Sequence, residues 1–589
     1  MIQSGVDFGF VGQSYEAPML LQDAQECINW YCEVSEDGKS KMPVALLGSP
    51  GLNKVASTTT GPVRGMWSLP GNTQQLVVVG SSVYLLSVSA PATQSSIATF
   101  STKFIGNLLT SSGPVCMRDN GVLFGGAGGF VVMVDGLYAY YYLISGQQQT
   151  VTFTGSTTSG ANYISLSADV PYGLVVTPHA AISDTGGAIP SGTVFTGANF
   201  NSVQLNLSKN ATATLATDTF TVTIPVFGQI TDPAILPASR IAFIEGWLIF
   251  SEPDTRTFFT NATIPYTLLF AGSFYALKDS STDNLVTLFE NNRELWLIGE
   301  RTSEVWYNAG NPNFAFARIP AIGPQIGCAA PHSITRLGPN LVWLARNEQG
   351  QNIVVEQQNY DWQRISTHAV DHAIASYDVV EDAIGYAYEE DGHWFYMLTF
   401  PTADVTWCYD GKTRLWHKRL SYDPVGGVYH RHLSNAYAEL SDVRLVGDYQ
   451  NGFIYQLSRE YYSDNGAPLR CLRRAPHVWE KQNRKRIFHG WLQIEFTPGV
   501  GLQTGQGSSP QAMLRWSNDG GFTWLSEHWT TIGATGQTRN RAIWRRLGRA
   551  RDRVYELSYS DPTARDIIGV TLFFEPEAEE DFPLSRTAA

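Results

Sequence analysis

The stretch RELWLI, residues Arg293–Ile298, is a short apolar strand with an aromatic centre that directly follows a turn. The same pattern occurs at six further places: SSVYLL (Ser81–Leu86), GGFVVMV (Gly128–Val134), EGWLIF (Glu245–Phe250), PNLVWL (Pro339–Leu344), GHWFYML (Gly392–Leu398) and NGFIYQL (Asn451–Leu457). With the residue before each strand as anchor, the anchors stand at 82, 129, 246, 294, 340, 393 and 452, with gaps of 47, 117, 48, 46, 53 and 59 residues. Four-stranded propeller blades repeat about every 40–50 residues, so five of the gaps each correspond to one blade. The sequence therefore predicts an all-β fold with a β-propeller of six or seven blades.

The composition agrees with a chain of short strands and tight turns. Charged residues make up only 16% of the 589 residues, whereas about 25% is typical of globular domains. Glycine occurs 54 times, tyrosine 27, phenylalanine 29 and tryptophan 16 times, as strands and turns favour. One tight hairpin is predicted at Asp410-Gly411, between the aromatic strands of TWCYDGKTRLWHKR (Thr406–Arg419).

The one long gap is explained by an insertion. Residues 150–232 are rich in Thr, Ser, Gly and Ala and carry few charges, and runs such as TDTFTVTIPV (Thr217–Val226) alternate apolar and polar residues with a period of two. Removal of this segment leaves a gap of ordinary blade size or a little less. We therefore expect an inserted β-sandwich-like domain that grows from a blade loop.

The domain organisation follows from these patterns. After the propeller, strands such as HGWLQIEF (His489–Phe496) and VYELSYS (Val554–Ser560) predict a separate C-terminal β-sandwich. The expected order is an N-terminal extended segment leading into the propeller (1–60), the first propeller segment (61–149), the inserted domain (150–232), the second propeller segment (233–466), the sandwich with a basic patch (467–575) and an acidic flexible tail (576–589).

The net charge of -13 is unevenly distributed. Residues 1–466 hold 23 Lys+Arg against 40 Asp+Glu, a net charge of -17, whereas residues 467–589 hold 17 against 13, a net charge of +4. A basic module on an acidic protein suggests docking onto an acidic partner. A direct grip on nucleic acid is disfavoured, because the rest of the chain would repel phosphate.

Two runs carry these positive charges, RCLRRAPHVWEKQNRKR (Arg470–Arg486) and RNRAIWRRLGRARDR (Arg539–Arg553), and each interleaves arginine with tryptophan. One interpretation is solvated strand faces and internal salt bridges, for example to Asp552 or Glu556. The other is docking on a carboxylate-rich protein ring, for which arginine and tryptophan are favoured anchors. The candidate docking residues are Arg473, Arg474, Arg484, Lys485, Arg486, Arg545, Arg546 and Arg549.

The segment SNDGGFTW (Ser517–Trp524) has the spacing S-x-D-x-G-x-T-W of the Asp-box hairpins found in sialidase propellers. In such a hairpin, which begins here at Ser517, the Asp519 carboxylate caps backbone N–H groups of the turn, Gly520 and Gly521 supply the unusual dihedral angles and Trp524 packs beneath. None of these roles is chemical. A sialidase also needs clustered arginines, a tyrosine nucleophile and a carboxylate partner, and a single box outside the propeller supplies none of them. We therefore interpret the hairpin as structural.

The remaining motifs do not predict a cofactor or metal site. His368 and His372 are spaced four apart, as zinc ligands on a helix can be, but Ala369 stands where a zincin has glutamate and no third ligand is evident. His430 and His432 share a strand face without a cysteine or carboxylate cluster. Six scattered cysteines suggest reduced thiols, and no apolar run approaches the roughly 18 residues that span a bilayer, so stable membrane insertion is not expected.

Three segments resemble the tail nozzle (hub) proteins of short-tailed bacteriophages, also called packaged-DNA stabilisation proteins. They are INWYCEVSEDGKSKMPVALLGSPGL (Ile28–Leu52), LFENNRELWLIGERTSEVWYNAG (Leu288–Gly310) and the C-terminal stretch Ser517–Glu575, within which WRRLGRARDR (Trp544–Arg553) is the most specific. The resemblance covers most of the chain outside 150–232 and contains no catalytic signature. It therefore indicates a family, and a non-enzymatic protein.

The resemblance implies a homo-oligomeric ring, with six subunits in relatives, in the tail of the virion. Such a ring sits below the portal and its adaptor, extends the DNA channel without sequence-specific binding, helps retain packaged DNA and conducts it during ejection. Its implied partners are the adaptor ring and tail needle, tailspike or fibre proteins, with assembly in the bacterial cytoplasm. The alternative is a carbohydrate-binding or sialidase-like propeller that acts as a receptor-binding protein.

Overall fold

The computed structural model describes residues 6–36, 39–90, 98–122, 129–167, 180–199, 204–232, 234–261, 268, 270, 272–311, 313–320, 322–481 and 484–576. Within these ranges the chain is almost entirely β, with a single α-helix at His368–Ala375. No described helix combines the length and apolar character needed to cross a membrane. All six cysteines are free and buried.

Among the described residues, the propeller consists of seven blades of four antiparallel strands each. The strands of the first three blades are Val63–Ser68, Gln74–Val79, Ser82–Ala90 and Thr99–Asn107 (blade 1); Cys116–Asp119, Phe130–Val134, Ala139–Leu143 and Phe227–Ile230 (blade 2); and Arg240–Ile244, Trp247–Ser251, Thr257–Thr260 and Tyr275–Leu277 (blade 3). Blade 4 consists of Leu285–Asn291, Glu294–Gly299, Ser303–Asn308 and Phe316–Arg318, and blade 5 of Thr335–Leu337, Asn340–Arg346, Asn352–Gln358 and Asp361–Arg364, with Gly327–Cys328 beside its second strand. Blade 6 consists of Ile384–Glu390, His393–Phe400, Val405–Asp410 and Leu415–Lys418, and blade 7 of Ser434–Leu440, Val443–Asp448, Phe453–Ser458 and Gly51–Ser57. The hairpin Leu420–Asp423 and Val428–Arg431 lies between blades 6 and 7.

The ring is closed by a strand from the beginning of the chain. Gly51–Ser57 pairs antiparallel with Phe453–Ser458, so the last blade takes its outer strand from the segment that precedes the first. Ser434–Leu440 of blade 7 also contacts Val63–Ser68 of blade 1. Apolar clusters fill the spaces between neighbouring blades, as where strands of blades 1 and 2 pack together. Closure protects the strand edges that an open array would expose.

The predicted tight turn in blade 6 differs from the structure. Four residues, 411–414, connect Val405–Asp410 to Leu415–Lys418, instead of a two-residue Asp-Gly loop. Asp410 accepts hydrogen bonds from the Lys412 backbone (3.0 Å) and the Thr413 hydroxyl (2.7 Å). Arg414, at φ 59°, takes the left-handed conformation in place of the glycine. The aspartate therefore stabilises a longer loop than its dipeptide suggests.

The insertion is one six-stranded sheet between the last two strands of blade 2. In sheet order its strands are Ala181–Asp184, Leu215–Ile224, Gln149–Thr157, Tyr163–Leu166, Gln204–Leu207 and Phe195–Asn199. Backbone bonds Ile182 N to Thr193 O and Phe195 N to Ala180 O join the two outermost strands. The sheet therefore curls on itself, where the sequence pattern suggested two facing sheets, because closure pairs its edges. Its apolar side packs with residues of blades 2 and 3.

The C-terminal sandwich incorporates the N-terminal segment. One sheet has the order Trp30–Val34, Val44–Gly48, Ile567–Pro576, Ile487–Phe496 and Ala542–Ala550. The other contains Cys471–Arg474, Asp552–Tyr559, Gln511–Ser517 and His528–Thr531, with Val478–Trp479 beside the second of these. The core between them holds residues of both sheets, including Leu492, Trp544, Leu514 and Tyr555. Residues 30–48 thus belong to the sandwich as well as leading into the propeller.

The sandwich and the propeller share a sheet. Ala24–Ile28 pairs with Cys471–Arg474 on one side and, through Ile28 and Lys418, with the last strand of blade 6 on the other. The Asn29 amide also donates to the carbonyls of Leu420 and Arg470, both at 2.8 Å. These bonds fix the sandwich against blade 6 and the hairpin that follows it. The all-β propeller with a β insertion and a C-terminal β-sandwich is confirmed.

Candidate docking surface

A basic strand forms the outer edge of the sandwich. Ala542–Ala550 pairs on one side only, with Ile487–Phe496, within its sheet. The register shifts opposite His489–Trp491, and Arg546 and Gly548 adopt positive φ angles of 60° and 79°. This bulge exposes Arg545, Arg546 and Arg549 while the residue between them, Leu547, stays buried. Bulges of this kind turn side chains out of the regular alternation.

The second basic run reaches the same edge. Arg484 and Arg486 are exposed and Lys485 is half-buried, just before the strand Ile487–Phe496 begins. In that strand Ile487 lies opposite Ala550, and Arg549 lies opposite Phe488. The exposed Arg551 follows at once. We refer to six exposed residues as the edge arginines: Arg484, Arg486, Arg545, Arg546, Arg549 and Arg551.

Five of the edge arginines, all except Arg549, form no ion pair within the described part of the chain. Unpaired guanidinium groups on one edge leave planar hydrogen-bond donors available for carboxylates. The sequence pattern predicted five of the six. Arg551 was not among the candidate residues, although it lies in the same basic run as Arg549. That run was the sequence signal that could have identified it.

Arg473 lies in the interior. It is fully buried and donates to the carbonyls of Phe10 (2.6 Å) and Gln13 (2.8 Å) and to the Gln25 side chain (2.6 Å). Burial lowers the pKa of its guanidinium. These contacts fasten the N-terminal segment to the sandwich, so Arg473 is not accessible to a partner.

Arg474 is also engaged inside the protein. Its guanidinium pairs with Glu556 at 3.0 Å and with Glu26 at 3.3 Å. Arg515 pairs with the same buried Glu556 carboxylate from the other strand. The internal salt bridges that the sequence left open as an alternative therefore exist at this position. We exclude Arg473 and Arg474 from the docking surface and keep the edge arginines with Lys485.

The Asp-box hairpin has a structural geometry. The Ser517 hydroxyl donates to Asp519 at 2.6 Å and accepts from the Gly521 backbone at 2.8 Å, while Asp519 accepts from the backbone of Thr523 at 2.9 Å. Hydrogen bonds from the Ser517 and Thr523 hydroxyls lower the pKa of Asp519 to about 2. Trp524 lies half-buried with the guanidinium groups of Arg474 and Arg515 each 5.0 Å from its ring. The motif braces the turn beside the buried salt bridges.

Three of the four paired histidines have close polar neighbours. His368 lies 3.2 Å from Arg364 at the start of the helix, and His430 lies 2.6 Å from Asp404. His432 is buried between Arg419 (3.2 Å) and Ser434 (2.7 Å), and burial lowers its pKa well below the usual value. Among the described residues, no group of three His, Cys, Asp or Glu side chains has a metal-binding arrangement.

A cavity of about 470 Å³ lies on the propeller axis, where the inner strands of all seven blades meet. Arg118 projects there over the rings of Trp67 (4.7 Å) and Phe289 (5.6 Å), and it pairs with Glu290 at 3.2 Å. His332 lies beside Arg240, and burial lowers its pKa to about 3. The axis is therefore narrow and lined by bulky side chains.

Two family models match the chain. The model described as "Bacteriophage P22 Gp10, beta-propeller" matches residues 110–462, and "Bacteriophage P22 Gp10, beta-sandwich" matches residues 472–572. Among curated proteins, no match was found.

Solved structures give only weak similarity. One chain of the S. cerevisiae complex of Dbp5 with Nup159 and Gle1 has a TM-score of 0.32 at 9% identity, over 72% of this chain and 97% of that chain. Apo AztD from Citrobacter koseri has a TM-score of 0.28 at 11% identity, over 63% and 90%. The family models, in contrast, cover most of the propeller and the sandwich, the first alone spanning more than half of the chain. The chain therefore belongs to the bacteriophage P22 Gp10 family and is a structural protein of the phage tail.

Proposed function

We propose that the chain assembles as a homo-oligomeric ring, a hexamer as in the relatives it resembles, that extends the portal and adaptor channel. In this role it helps retain packaged DNA and conducts it during ejection, without catalysis. The observation that carries the proposal is the row of edge arginines on a member of a phage tail family. Needle, tailspike or fibre proteins are further proposed partners, with assembly in the host cytoplasm before the virion is complete.

The proposed DNA lumen lies between subunits. The axial cavity of one propeller holds only about 470 Å³, whereas a cube whose edge equals the roughly 12 Å width of the DNA major groove alone would hold about 1,700 Å³. A duplex therefore does not fit through the blades. The net charge of -17 on residues 1–466 supports a wall to which DNA does not adhere, because phosphate contacts need positive charge.

The proposed adaptor contact is electrostatic. Guanidinium groups bind carboxylates with two parallel hydrogen bonds, and arginine is enriched among residues that dominate interface affinity. The edge arginines present such groups along one strand and the adjacent corner of the sandwich. A carboxylate-rich surface on the adaptor ring is the complementary partner that this arrangement favours.

Charge reversal tests the proposal. The variant Arg545→Glu, Arg546→Glu and Arg549→Glu should fold, because these side chains are exposed, but it should not join connector-loaded heads. We expect at least a hundredfold loss of infectious particles in complementation, with heads that lack the tail ring in negative stain.

The matched control reverses three exposed cations on the propeller: Lys103→Glu, Arg301→Glu and Arg318→Glu. It carries the same change in net charge and should assemble normally. Normal assembly of the edge variant, with both proteins equally stable to heating, would refute the docking surface.

A further inference from the structure

A small concave site lies at the corner of the sandwich where the edge arginines meet. Its volume is about 430 Å³, and it is lined by Leu21, Gln22, His477, Trp479, Arg484, Arg551 and Asp552. Leu21 and Trp479 remain 60% and 42% exposed, which is high for large apolar side chains. The site thus combines two exposed apolar side chains with charged and polar groups.

The charges in this site are unbalanced. His477 lies 2.8 Å from the Asp552 carboxylate, and this pairing raises the pKa of the imidazole. The other ring nitrogen lies 2.8 Å from the Leu20 carbonyl. The Asp552 charge is thus already engaged, while Arg484 and Arg551 form no ion pair in the described part of the chain. The site therefore retains two guanidinium groups that can bind a carboxylate.

The last described strand of the chain ends at this corner. Pro576 lies opposite Ile487, which in turn lies opposite Ala550, the residue before Arg551. Neighbouring strands are about 4.8 Å apart, so Pro576 stands roughly 10 Å from Ala550. Five extended residues span up to about 17 Å. A segment that follows Pro576 can therefore reach the site within a few residues.

The sequence that follows has the complementary charge. Residues 577–589, which lie outside the described residues, read EAEEDFPLSRTAA. They contain four acidic residues and one arginine, a net charge of -3, whereas residues 467–576 contain 16 basic and 9 acidic residues, a net charge of +7. Four of the first five positions, 577–581, are acidic, and the remaining one is Ala578. Phe582 and Leu584 follow them.

We propose that the acidic tail, residues 577–584, folds back onto the corner site of its own chain. The carboxylates of Glu577–Asp581 face Arg484 and Arg551, and Phe582 packs against Trp479 and Leu21. Because Arg484 and Arg551 also belong to the edge arginines, an adaptor carboxylate would compete with the tail for these two side chains.

A peptide competition experiment tests the proposal. The host is the full-length chain with a neutralised tail, Glu577→Gln, Glu579→Gln, Glu580→Gln and Asp581→Asn. The probe is a fluorescent peptide of residues 577–589, and binding is followed by anisotropy. We expect saturable binding to the neutral-tail host and at least tenfold weaker binding to the wild-type chain, whose own tail occupies the site. Raised salt should weaken binding, since the contact is ionic.

Two controls separate this contact from general charge attraction. Arg484→Glu with Arg551→Glu in the neutral-tail host should reduce peptide affinity at least tenfold, whereas Lys103→Glu with Arg301→Glu should leave it unchanged. A peptide with its four acidic residues neutralised should not bind. Equal binding to wild-type and neutral-tail chains, or no effect of the Arg484 and Arg551 changes, would overturn the proposal. Loss of adaptor assembly alone would leave it standing.

Discussion

The interior of the sandwich and its outer edge use the same residue in opposite ways. Arg473, in the first basic run, is fully buried and holds backbone carbonyls of the N-terminal segment. Arg545, in the second run, is exposed on an edge strand and pairs with no carboxylate among the described residues. The runs look alike in sequence. A basic run is therefore not one surface, because some of its arginines build the fold and others stay exposed at the surface.

The interior arginines connect distant regions of the chain. Arg553 donates to the Leu547 carbonyl at 2.6 Å, which supports the bulge of the edge strand from inside. Arg565 donates to the Ser49 carbonyl at 2.6 Å, joining the last strand to the N-terminal segment. Buried guanidinium groups satisfy several carbonyls at once, and their removal leaves those acceptors unpaired. The fold therefore depends on them.

The largest effect is expected for Arg473→Ala. The change leaves the carbonyls of Phe10 and Gln13 without their donor and opens a cavity, which should lower the free energy of unfolding by about 3–5 kcal/mol. Equilibrium urea unfolding measures it. If the loss were below about 0.5 kcal/mol, the interior role of this arginine would be wrong.

A pH effect of intermediate size is expected at Asp464, which is buried near Arg419 and Arg565. Burial raises its pKa from 3.8 to about 6, and these arginines lower it by less. A raised carboxyl pKa stabilises the folded state below about pH 4, and this contribution is lost as pH rises through about 6. The stability of the wild type relative to Asp464→Asn should therefore fall by about 3 kcal/mol between pH 4 and 7. Parallel stability–pH curves for the two proteins would contradict this assignment.

The smallest effect is expected at the edge. Alanine at Arg545, Arg546 or Arg549 removes an exposed side chain, so each change should alter the free energy of unfolding by less than about 0.5 kcal/mol. The same urea titration applies. A decrease in the free energy of unfolding as large as that of Arg473→Ala would mean that the edge arginines also build the fold. The division between interior and edge arginines would then be wrong.

Local pattern predicted the blades because each strand repeat and its spacing are encoded within about 50 residues. It did not predict that Gly51–Ser57 completes blade 7, because that pairing joins residues about 400 positions apart. The burial of Arg473 has the same cause: the residues that cover it, Phe10 to Glu26, come from the other end of the chain. The exposure of both Arg545 and Arg546 depends on a bulge, which strand alternation does not reveal.

We propose that this protein works as one copy in a ring and turns over no substrate. Native mass spectrometry of the purified chain measures the number of copies. We predict one dominant species at a fixed multiple of the 64.9 kDa chain mass, with six copies expected. A chain that stays a 64.9 kDa monomer and binds or cleaves glycans would contradict the claim and support the carbohydrate-binding alternative.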